Sequence, residues 1–173
     1  MFAGLCLIVD PVPAAFTAYL AVAMAAITLS DFRHFIVPDA ISLPAIPIGM
    51  AANSLVLHGS WVSGLEESLW GALLGGGILY LVRAAYFRLR DIEGLGLGDV
   101  KLGAAAGAWL GPGLLAPACL AATLTALLAV LLMKSINPTP ALHKLQIPFG
   151  CFIAPVILLL WLLRLWELPL SAT

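Results

Sequence analysis

The chain has 173 residues, of which 62% are apolar and 10% charged, with a mean hydropathy of +1.08. So little charged surface cannot coat a water-soluble globule, which points to a membrane. A formal net charge of -1 leaves no electrostatic footprint for nucleic acid, and none is expected as a partner.

Stretches free of Asp, Glu, Lys and Arg run from Pro11 to Ser30, Ala40 to Leu65, Ser68 to Val82, Leu102 to Met133 and Leu145 to Leu163. A transmembrane helix needs ~20 mostly apolar residues, so these stretches carry at least five spans. The fourth is too long for one helix and short for two, and Gly111-Pro112-Gly113 interrupts it with a strong turn signal. The predicted spans are roughly residues 12–30, 40–57, 67–87, 100–110, 114–133 and 148–166, the fourth a short helix. The expected fold is all-α, a polytopic membrane bundle of about six helices with both termini on the outer side. Six spans take roughly 120 residues, so residues 1–173 read as a single membrane-embedded domain with no room for a soluble one. No basic n-region or cleavage pattern marks a removable signal at the N-terminus.

With the termini outside, the inner loops and helix ends hold Arg33, Arg83, Arg88, Arg90, Lys101, Lys134 and Lys144, against Arg164 alone outside. The positive-inside rule selects this orientation. Trp61, Trp70, Trp109 and Trp166 then fall near the outer interface, where indoles are favoured, and Trp161 lies deeper as a packing residue. Gly103, Gly107 and Gly111 bare one face of the fourth helix, and Gly71, Gly75, Gly76 and Gly77 do the same for the third. Such stripes serve close helix packing, or a slot for a substrate helix.

Of the acidic residues, Asp10, Glu66, Glu67 and Glu167 fall outside, whereas Asp31, Asp39, Asp91, Glu93 and Asp99 fall inside. Asp31 ends the first span and Asp99 begins the fourth, so both carboxylates reach the same depth at the inner boundary. Ionisable groups placed there are functional candidates, because desolvating them is costly. Alternate glycines in Gly94-Leu95-Gly96-Leu97-Gly98-Asp99 leave bare backbone beside the acid, where a peptide can approach. Ser30-Asp31-Phe32-Arg33-His34-Phe35-Ile36-Val37-Pro38-Asp39 is a short amphipathic link whose proline prepares the next helix.

These two segments resemble the catalytic segments of the type IV prepilin leader peptidases, membrane aspartyl proteases of the GxGD class. Asp31, Arg33 and Val37-Pro38-Asp39 match the first motif. Gly96 to Leu102 with Ala108 to Gly111 matches the second, and Ile147-Pro148-Phe149-Gly150 echoes a third. After this third echo the family commonly continues with proline where this chain has Cys151, a departure expected to touch packing only. The resemblance implies removal of a short basic leader from prepilin or pseudopilin precursors at the cytoplasmic face of the inner membrane. It also implies catalysis by Asp31 and Asp99, with substrate binding at Gly96, Gly98 and Lys101. Larger members add a cysteine-rich domain that methylates the new N-terminus. This chain, without a C-x-x-C pair, is similar to the short form that serves tight-adherence pili.

An aspartyl pair needs one ionised carboxylate and one neutral acid, and two like charges within ~3 Å share a proton. Helix dipoles assign the base to Asp99, at a helix N-terminus, and the acid to Asp31, at a C-terminus. Lys101 either tunes Asp99 or snorkels to lipid phosphate. Asp39 reads as a helix cap, and Asp91 and Glu93 as a solvated loop or as an attractor for a basic leader. Cys6, Cys119 and Cys151 read as small core residues, and His34, His58 and His143 lack metal-ligand spacing, so no metal or cofactor is expected. Two rivals are open. A proton-coupled carrier would place its carboxylates near mid-membrane, and a non-catalytic scaffold of a pilus or secretion machine would need neither acid.

Overall fold

The computed structural model describes residues 10–58, 60–90, 95–136 and 148–167. These form α1 (Pro11–His34), α2 (Asp39–Ala52), α3 (Trp61–Arg90), α4 (Leu97–Leu110), α5 (Leu115–Ile136) and α6 (Gly150–Glu167), with no strand among the described residues. Five segments are long and apolar enough to cross a bilayer: Pro11–His34, Asp39–Leu57, Trp61–Arg90, Pro112–Ser135 and Gly150–Glu167. The all-α bundle expected from the sequence is the one that forms. Cys6, Asp91, Glu93, His143, Lys144 and Ile147 lie outside the described residues.

Local chemistry explains the boundaries. Pro11 opens α1, where its missing N–H costs nothing, and Arg33 and His34 occupy the last turn, at the negative end of the helix dipole. Phe35 then stops the helix in the left-handed region, at φ 54°, and donates its N–H to the Asp31 carbonyl at 2.9 Å. Pro38 precedes α2, which keeps Pro44 and Pro47 in its interior and widens into a π-helical turn over Asn53–Leu57. Fully buried Asn53 donates its side-chain amide to Ser68 of α3 at 2.8 Å, pinning that turn.

The 14-residue α4 is about 21 Å long, short of the ~30 Å hydrocarbon core. Its length suits an interior position, and from Leu102 to Leu110 every residue but Ala104 is buried. The glycine stripes meet each other. A Cβ on Gly107 would run into the Gly71 carbonyl, and one on Gly75 into the Gly103 carbonyl, so α3 and α4 touch backbone to backbone. The slot the stripes might have offered a substrate helix is filled by the chain's own α3. On α5 the pattern of a soluble helix is inverted, with Ala118, Ala122 and Ala126 facing in and Leu124, Leu127, Leu128 and Leu131 facing out.

Three sequence expectations change here. Cys119, expected as a small core residue, is exposed on α5. Trp109 is no interfacial anchor. It is fully buried, edge-on to Trp161 at 5.0 Å, stacked on Tyr19 at 6.3 Å, and donates to the Ala45 carbonyl at 2.8 Å. An indole in an apolar bundle needs an acceptor, and the helix carrying Pro44 and Pro47 supplies one. The helix α3 begins at Trp61, ahead of the span expected from residue 67, so Glu66 and Glu67 both lie inside it. Glu67 is held there by His58 at 2.7 Å and Arg164 at 3.1 Å, and Arg164 also donates to the Leu110 carbonyl at 2.9 Å at the end of α4. Gly111 turns the chain at φ 71° against the Glu67 carboxylate, a conformation and a closeness that both exclude a side chain.

Candidate active site

At the end of the bundle opposite this ion cluster, the last turn of α1 and the first turns of α2, α4 and α6 converge on an open cavity of about 560 Å³. Asp31 and Asp99, 68 positions apart in the chain, both line it, as do Asp39, Gly96, Gly98 and Lys101. Every sequence-derived site residue is therefore brought to one place.

Asp31 is 5% exposed, in the last turn of α1. The backbone N–H of Cys151, in the first turn of α6, donates to its Oδ2 at 3.0 Å. A Cβ on Gly150 would lie only 2.7 Å from the same oxygen, so the start of α6 abuts the carboxylate. Asp31 thus receives a positive helix end from α6 as well as the negative end of its own helix. The Cys151 position therefore touches more than packing, since a proline there would have no N–H to give. The cysteine thiol, beside the same carboxylate, donates to the Thr28 carbonyl at 3.2 Å.

Asp99 stands in the first turn of α4, outside the five candidate spans. Burial and the Asp31 charge hold its carboxyl above the ordinary carboxylate range, against the opposing effect of the Gly96 backbone hydrogen bond. The two carboxylates are thus electrostatically coupled across the cavity.

The link between α1 and α2 is shaped to serve them. Ser30 donates its hydroxyl to the Ile36 carbonyl at 2.9 Å, folding the link back on α1. Val37 packs on α4, where a Cβ on Gly98 would stand 2.9 Å from the Val37 Cβ. The bareness of Gly98 thus lets the α2 entry settle on α4, whereas at Gly96 a Cβ would find only ordinary contact with Asp99 at 3.6 Å. Asp39 is not the expected cap: Pro38 holds the N-cap position with no side-chain cap bond, and Asp39, the first residue of α2, instead holds the Lys101 ammonium on its Oδ1 at 2.6 Å. The sequence reading missed this pair, and it missed Gly150 and the Cys151 amide as neighbours of Asp31. The third motif echo is the one signal that marked them.

A multi-helix membrane bundle with paired carboxylates at one end is the class these features define. The chain belongs to the type IV leader peptidase family, whose model matches residues 18–133. It is 32% identical over 148 residues to a prepilin leader peptidase/N-methyltransferase of Stutzerimonas stutzeri, covering 86% of this chain and 48% of that protein. The namesake protein of Pseudomonas aeruginosa is 33% identical over 149 residues, with the same coverage. The leader peptidase HopD of Escherichia coli is 37% identical over 81 residues, 47% of this chain and 50% of that one. The chain spans about half the length of these curated relatives. No solved structure matches it. With its apolar helices and this family membership, it is a multi-pass membrane protein.

Proposed function

We propose that this chain is an aspartyl endopeptidase that removes the leader from prepilin or pseudopilin precursors, working at the cytoplasmic face of the inner membrane. The observation that carries the reading is the convergence of Asp31 and Asp99 on one open cavity, where the Asp31 charge adds to burial in raising the Asp99 carboxyl. The inner-face orientation is supported by Arg33, Arg88, Arg90 and Lys134, which lie in the last turns of helices that end on the dyad side.

In this mechanism Asp31 is the ionised member and Asp99 holds the shared proton, the reverse of the assignment from helix dipoles alone. The Cys151 N–H and the α6 terminus favour the Asp31 anion, while burial and that anion favour a neutral Asp99. The pair titrates as a unit, so this names its dominant microstate. Asp31 takes a proton from water as the oxygen attacks the scissile carbonyl carbon, and Asp99 gives its proton to the carbonyl oxygen. The resulting diol collapses, the C–N bond breaks, and the amine nitrogen leaves with a proton returned through the dyad. The substrate must be extended there, since helical carbonyls are already hydrogen-bonded. Gly96, Gly98 and Lys101 line the wall along which it would lie.

Co-expression with a prepilin, read as a gel-mobility shift of the precursor, tests the proposal. Asp31→Asn and Asp99→Asn are each expected to abolish cleavage, by at least ~10³-fold in rate. In the active chain the rate should fall on the alkaline side as Asp99 loses its proton. Cleavage untouched by both changes would favour a scaffold. Proton-linked solute uptake lost in the same variants, without cleavage in the parent, would favour a carrier.

A further inference from the structure

The cavity holds three carboxylates, Asp31 from α1, Asp39 from α2 and Asp99 from α4, with one ammonium, Lys101 of α4, and the Cys151 amide of α6 on Asp31. Lys101 is two residues beyond Asp99 on a flexible four-carbon stem, and its nitrogen is on Asp39 at 2.6 Å. We infer that Asp39 is a positioning residue that parks the Lys101 ammonium away from the Asp31–Asp99 pair, leaving the pair free to hold a shared proton. This rests on the peptidase reading for its consequence in catalysis, but the electrostatic arrangement stands independently of it.

A cation that comes within ~4–6 Å of a carboxyl favours the charged form and lowers its pKa by about one to three units. Asp31 and Asp99 are the other carboxylates among the described residues that line the cavity, and an unparked Lys101 would be drawn to them. Pairing there would leave both acids ionised, remove the proton donor and stop hydrolysis. Asp39 is suited to prevent this. Its carboxylate is 60% exposed, so holding the cation costs little desolvation, and it starts α2 right beside α4 because Val37 is seated on Gly98. An ion pair this exposed adds little to stability, so its contribution is where it keeps the charge.

The test reads the protonated-carboxyl infrared band of the purified chain in nanodiscs, assigned by its loss in Asp99→Asn. In the parent the band should persist above the ordinary carboxylate range. In Asp39→Asn its midpoint should fall by about one pH unit or more, a tenfold loss of the protonated form. Adding Lys101→Met to Asp39→Asn should return it, because the stray cation is gone. Prepilin cleavage by Asp39→Asn should be about tenfold slower in kcat, while the double variant is read by its infrared midpoint alone. Asn is well tolerated at a helix start, so the single variant is expected to fold. A midpoint unmoved by Asp39→Asn, a double variant whose midpoint is no higher than the single one's, or a parent whose band is lost within the ordinary carboxylate range would each overturn the inference. A parent that cleaves no prepilin overturns the peptidase reading, and the infrared titration still decides the parking of Lys101.

Discussion

In the proposed mechanism Asp31 depends on atoms that come from the far end of the chain. It closes α1, at the negative end of that helix, and meets the Cys151 N–H at 3.0 Å and the bare Gly150 at the positive end of α6. Cys151→Pro is the smallest change that removes this donor, since the first turn of a helix accepts proline. It is expected to slow cleavage by about tenfold, the worth of one hydrogen bond to a charged group, most strongly on the acid side of the pH–rate profile. Cys151→Ala, which keeps the N–H, should leave the rate near that of the parent. The two acids themselves were legible in the sequence, through their depth and the glycines beside Asp99. The contact of α6 with Asp31 was not, because dipoles counted along each helix separately omit the one contributed by α6.

At the scale of elements, the short α4 carries the site and is held by contacts that need small residues. It meets α3 at Gly71 and Gly107 and at Gly75 and Gly103, where no Cβ fits. Gly107→Leu should push these helices apart and cost about 1–3 kcal/mol, measured as a lowered thermal midpoint in detergent, with cleavage falling as Asp99 shifts from Asp31. The stripes were visible in the sequence as periodic glycines. Their partners were not, since a bare face fits a substrate helix as well as a neighbour. Trp109 was misplaced at the interface for a related reason: an indole near a helix end is at home beside lipid headgroups, and only the packing of Tyr19, Trp161 and Ala45 around it makes that end interior.

Across the whole molecule the polar groups separate to two ends. One end carries the carboxylates and Lys101, and the other carries His58, Glu67 and Arg164, which tie the end of α2 to α3, the end of α4 and α6. Glu67→Ala would leave Arg164 and His58 without their shared acid and is expected to lower stability by about 2 kcal/mol, seen as a lowered thermal midpoint. Because the cluster lies across the bundle from the cavity, kcat for the folded fraction should stay within about twofold of the parent. A larger loss in kcat at unchanged folding would mean that the two ends are mechanically coupled through α4.

Composition and charge-free runs alone determined that this is an α-helical membrane protein, because ~20 apolar residues per crossing is a requirement of bilayer thickness. Motif spacing alone marked Asp31 and Asp99. What tertiary structure decided is everything that depends on which helix end faces which: the seat of Asp31 on α6, the pairing of Lys101 with Asp39, and the closure of the glycine stripes on each other. Hydrogen bonds, ion pairs and backbone contacts act over a few ångströms, and these join groups that stand from 28 to 120 or more positions apart in the chain. No local pattern of residues encodes such proximity, whereas helix length and hydropathy are local and can be read directly.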